Sequence, residues 1–209
     1  MADLYGTPEK AQLKRRLFEI GLETLRSLGY TIERAHGGSS VRRVTKDGES
    51  KLVSIRTTQD RYIAFPRKKD GTWRTLDEVD IVVAVSVDDA DAPRYAWVHL
   101  LPGDEMRDRF KRSYDARKAS GLRMPPGRGI WLALYNKEST DHPRRVGAGA
   151  GLVHPRLATV PLAVNDDGLR PQAPTTVEQR GGLTIVEAKR LLAKSLGINE
   201  SSIKITVEA

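Results

Sequence analysis

Apolar residues recur at helical spacing through Leu13, Leu17, Ile20, Leu25 and Leu28, the period of a helix that buries one face. Thr7 stands as an N-cap with Pro8 at the first helical position, and Gly29 supplies the stop. The pattern then changes period. Residues 30–33 read as a short strand, 37–40 as a small-residue loop, and 41–44 with 51–57 as a hairpin around the turn signal Asp47-Gly48. Residues 61–65 predict a third strand, closed by Pro66 and followed by a basic turn over 67–71. Residues 81–87 are apolar throughout, as in a strand covered on both faces, and 95–101 predict its neighbour. Residues 104–118 predict a charged helix with the narrow apolar stripe Met106, Phe110 and Tyr114. Residues 130–135 predict a last apolar core strand, which carries Trp131.

Beyond Asn136 the chain shifts towards proline, glycine and small residues. Pro143, Pro155, Pro161, Pro171 and Pro174 interrupt regular structure up to Gly182. Thr184 and Glu187 form a capping box that opens a helix ending at Gly197, and 203–207 alternate as a terminal strand. The expected organisation is a core with its extension over 1–163, a linker over 164–182, and a helix-strand element over 183–209. That element is too small to fold alone, so it is expected to dock on the core, on a partner or on a second copy.

The order of helix, Gly29-Tyr30 strand, Gly37–Ser40 loop, hairpin and apolar strand resembles that of the PD-(D/E)XK nucleases. The resemblance covers about residues 8–101 and implies an α/β (α+β) fold, a restriction-endonuclease-like mixed sheet flanked by helices. In that family the first hairpin strand carries a metal-binding Asp, the second carries Glu or Gln, any residue, then Lys, and the first helix often adds a Glu. Two carboxylates converge on Mg²⁺, which polarises the scissile phosphate, while the lysine stabilises charge in the transition state. Here the corresponding positions hold Arg42 (or Arg43), Ser54 and Arg56, and only a helix acid remains, as Glu19 or Glu23. An arginine repels the ion that an aspartate would hold. The resemblance therefore implies a degenerate member without the family's catalytic chemistry, and it leans the reading away from an enzyme.

Charge then points to a partner. Lys and Arg number 35 against 27 Asp and Glu, a formal net charge of +8 with a pI of about 9.8, which favours a polyanion. Arg42, Arg43, Lys46, Lys51, Arg56, Arg61, Arg67, Lys68 and Lys69 crowd the hairpin region. They predict either a phosphate-tracking face for DNA or RNA or a merely solvated one. Arg107, Arg109, Lys111, Arg112, Arg117 and Lys118 extend that face or pair with Asp104, Glu105, Asp108 and Asp115 along their own helix.

The alternatives are an active Mg²⁺-dependent nuclease with displaced ligands, drawn from Asp47, Glu49, Asp60, Asp77, Glu78 and Asp80, and an interaction or assembly protein without nucleic acid. The absence of cysteine removes disulfides, thiolate metal sites and cysteine nucleophiles. His36, His99, His142 and His154 lack paired ligand spacing, so no metal or other cofactor is expected outside the nuclease alternative. The glycine-rich run 146–151 reads as a tight turn, because His154-Pro155 breaks the chain where a phosphate-binding helix should follow. Trp73, Trp97 and Trp131 could stack on bases, but most aromatics are expected in the core. With no leader-like apolar run at Met1 and no membrane-length span, a cytoplasmic protein is expected.

Overall fold

A computed structural model describes residues 7–35 and 40–162, all within the first of the chain's two units, Met1–Pro174. The Gly37–Ser40 loop apart from Ser40, most of the expected linker and the expected C-terminal helix-strand element lie outside the described residues.

The described chain is a mixed α/β fold. Helix α1 (Pro8–Ser27) is capped by the Thr7 hydroxyl, which accepts from the Lys10 amide at 3.4 Å. It leads through Gly29 (φ +86°) into β1 (Thr31–Arg34). Strands β2 (Val41–Lys46) and β3 (Glu49–Thr58) form the hairpin. Its turn places Asp47 at φ +50° and Gly48 at φ +80°, the doubly left-handed pair of a type I′ turn. Strands β5 (Ile81–Val87) and β6 (Tyr95–Pro102) follow, and β5 runs parallel to β3. The six-stranded sheet is completed by β8 (Ala158–Pro161), in the order β1-β2-β3-β5-β6-β8. Thus the proline-rich region does carry a strand. It lies at the end of the strand order and stops at Pro161, where a missing N–H costs the ladder nothing.

One face of this sheet packs on α1. Leu17, Ile20, Leu22 and Leu25 meet Val44, Val53, Ile55, Val83, Val85 and Val98, all buried. Gly21 is the closest point, since a Cβ there would stand 3.0 Å from Val85 and 3.2 Å from Ile55. The other face is covered by α2 (Gly103–Ala119) and by a second sheet of two antiparallel strands, β4 (Tyr62–Pro66) and β7 (Gly129–Ala133). The strands expected at 61–65 and 130–135 therefore exist but stand outside the main sheet. Phe65, Phe110 and Trp73 form the centre of this second core, with Phe65 and Phe110 edge to face at 5.2 Å. No helix among the described residues is long and apolar enough to cross a membrane.

Candidate nucleic-acid interface

The hairpin separates the residues that the nuclease resemblance would gather. Val41 pairs with Ser54 and Arg42 with Val53, and alternation sends successive side chains to opposite faces. Arg42 consequently lies on the α1 face, its guanidinium 5.1 Å from the Phe18 ring. Burial, then the charge of Arg34, lower its pKa, while Glu19 of α1 acts in the opposite direction. Glu23, on the same helix, is held by Arg16 at 3.3 Å. Ser54 and Arg56 point through the sheet to the other face. Ser54 is wholly buried and its hydroxyl has no hydrogen-bond partner. Arg56 lies 4.2 Å from the Phe65 ring centroid with its Nε unpartnered, and burial pushes its pKa down to about 10. A neutral hydroxyl beside a cation does not fit Mg²⁺, and no group of three His, Asp or Glu side chains able to hold a metal is present among the described residues.

The nine basic residues also fail to make one surface. Lys46 lies over Tyr30 and Lys51 pairs with Glu49 at 3.2 Å, both on the α1 face with Arg42. Arg43 is exposed on the opposite face and donates to the Ser50 hydroxyl. Arg61 lies 4.7 Å from the Tyr135 ring centroid and 5.6 Å from that of Trp97, a ring that Arg156 approaches at 3.5 Å. Only Arg67, Lys68 and Lys69 stay together, lining a recess of about 260 Å³ with Tyr114 and Arg128.

That recess shares Met124, Pro125, Arg128 and Ile130 with a larger groove of about 670 Å³. Sheet β4-β7 forms the groove floor, and its two faces differ. Ile63, Phe65, Ile130 and Leu132 point into the core. The reverse face carries Tyr62 opposite Ala133, Ala64 opposite Trp131, and Pro66 opposite Gly129. Trp131 is 53% exposed and Tyr62 40%, against the expectation that the strand's tryptophan belongs to the core.

The groove walls are cationic. Arg117 comes from the end of α2, Arg123 and Arg128 from the loop before β7, and Arg144 and Arg145 from the loop after it, with His142. None of the described residues that line it is acidic, and none of the five arginines forms an ion pair among the described residues. Arg117 is fixed by donation to the Trp131 carbonyl at 2.7 Å. Its Nε is buried without a partner, and burial followed by the nearby charge of Arg144 lowers its pKa. The Gly127 amide donates to the Arg67 carbonyl at 2.8 Å, tying the loop that bears Arg123 and Arg128 to the recess. By contrast, outward cations of α2 stand beside carboxylates, Lys111 with Asp115 and Arg112 with Asp108 and with Glu138 of the loop after β7.

A partly buried polar chain runs elsewhere in the fold. The His99 Nδ1 lies 3.1 Å from the His154 carbonyl, which can only accept, so Nδ1 carries the proton. Nε2 of the neutral ring then accepts from the Tyr135 hydroxyl at 3.1 Å, and Ser86 donates to that hydroxyl at 2.5 Å. Burial lowers the pKa of His99 and raises that of Tyr135. His154 continues the chain to Glu105 at 2.7 Å, and Glu105 to Arg109 at 2.7 Å. The glycine-rich run closes this side. Its Gly147 and Ala148 carbonyls accept from Arg109, and a single helical turn, α3 (Ala150–Val153), follows before His154.

No family model, curated protein or solved structure matches the chain.

Proposed function

We propose that the protein is a nucleic-acid-associated binding protein, in which a restriction-endonuclease-like framework serves recognition rather than cleavage. The observation that carries this reading is the groove on sheet β4-β7, walled by five arginines without ion pairs among the described residues and floored by exposed Trp131 and Tyr62. Unpaired cations gain most from a polyanion, because they give up no existing partner and the polyanion releases its counterions. The framework part rests on element order: a helix, a short strand, a hairpin, then an apolar strand parallel to the hairpin's second member. Binding rather than cleavage fits the half-buried cation Arg56 and the neutral, buried Ser54 at the positions where the resemblance calls for metal chemistry.

The test is fluorescence anisotropy with a labelled oligonucleotide across a salt series. Five phosphate contacts on a single strand predict a slope of log affinity against log salt of about −3.5. The double reversal Arg128→Glu with Arg145→Glu is expected to weaken binding about tenfold or more. Binding that ignores salt, or that survives the reversal unchanged, would refute the assignment.

A further inference from the structure

We infer that the groove selects unpaired strands, seating a base on the Trp131 ring while Arg117 and Arg144 hold the adjoining phosphate. This rests on the nucleic-acid reading above and narrows it to one form of the ligand.

Trp131 is the central side chain of the outward face of β7, and its nearest neighbours along and directly across that face are small. Its cross-strand partner is Ala64, and its neighbours two positions away on the same strand are Gly129 and Ala133. A Cβ on Gly129 would lie 3.2 Å from the Ala64 Cβ and 3.9 Å from the Trp131 Nε1, so the indole stands beside bare backbone there. The ring thus stands above a low floor, 53% exposed, with Tyr62 further along. A large exposed aromatic on a floor of alanine and glycine leaves its ring open to a flat partner, and each nucleobase offers such a face.

Charge selects the same partner. The carbonyl of Trp131 holds Arg117 by its Nη2, so the backbone that presents the ring also places a cation at its side. Arg144 lines the same groove as Arg117, and a phosphate between the two guanidinium groups would offset their mutual repulsion. In an intact duplex each base is stacked on its neighbours, so stacking on a side chain requires a base free of its pair. DNA and RNA strands share the phosphodiester and the base, and both are expected to enter.

The experiment compares a single-stranded oligothymidylate, an oligouridylate of equal length, a blunt duplex and an abasic strand on the full chain. The two base-bearing strands should bind at least about tenfold more tightly than the duplex or the abasic strand, and should quench tryptophan emission. Trp131→Ala should weaken strand binding about tenfold and remove most of the quench, with Trp131→Phe restoring affinity to within about threefold. Equal affinity for strand, duplex and abasic strand, or full strand affinity in Trp131→Ala, would overturn single-strand selection. If duplex and strand bind alike but Arg128→Glu with Arg145→Glu abolishes both, only this inference fails. If no oligonucleotide binds, the broader assignment fails with it.

Discussion

Ser54 has a side chain with no hydrogen-bond partner at a position without solvent. A buried hydroxyl lacking a hydrogen bond costs about 1–3 kcal/mol, so Ser54→Ala is expected to raise unfolding stability by about 1 kcal/mol, read as a higher urea midpoint at unchanged slope. The same substitution should leave oligonucleotide affinity intact, since Ser54 faces the core and not the groove. Trp131 shows the converse. Its exposure was legible in principle, because in Gly129-Ile130-Trp131-Leu132-Ala133 the large aliphatics occupy alternate positions and a period of two sends Trp131 to the opposite side. What hid it was the uniformly apolar character of the segment, which reads equally well as a strand covered on both faces.

The elements themselves were clear wherever local chemistry sets them. Thr7-Pro8 opens α1, Asp47-Gly48 turns the hairpin, and the run of β5, apolar but for Ser86, marks a strand buried on both sides. Which strands pair with which is set by contacts distant in sequence. No local signal moves β4 and β7 out of the main sheet, and none brings His99, Tyr135 and His154 together across loops and strands. That polar chain links β5, β6, the segment after β7 and the turn after α3, and His99 is wholly buried within it. The folded state holds the His99 pKa below its ordinary value of 6.5. Between that lowered value and 6.5 the unfolded chain binds more protons than the folded one, so stability rises with pH in this window. As pH falls through 6.5 the protein should lose stability, levelling off only below the folded-state pKa. Urea midpoints measured from pH 7.5 to 5 should fall more steeply for the native chain than for His99→Gln, and parallel curves would contradict this.

For the whole molecule, the net charge of +8 matters less than how it is divided. Lys51, Lys111 and Arg112 sit beside carboxylates, whereas the groove arginines form no ion pair among the described residues. Exposed ion pairs contribute little to stability and present little net field. Neutralising Lys51 and Lys111 together should therefore change oligonucleotide affinity less than about twofold, while Arg145→Gln should weaken it for every sequence and flatten the salt slope by about 0.7. Composition points to a polyanion but carries no information on which surface would meet it. The hairpin that looked most basic is divided between two faces by its own pleat, and the groove draws its walls from three segments between residues 117 and 145. Its floor has a further consequence. Strand β4 belongs to the connection between the parallel pair β3 and β5, yet its partner β7 lies about 70 residues onward. A chain still being translated can complete its hairpin early, but it cannot present the Trp131 platform until β7 and the arginines after it have left the ribosome.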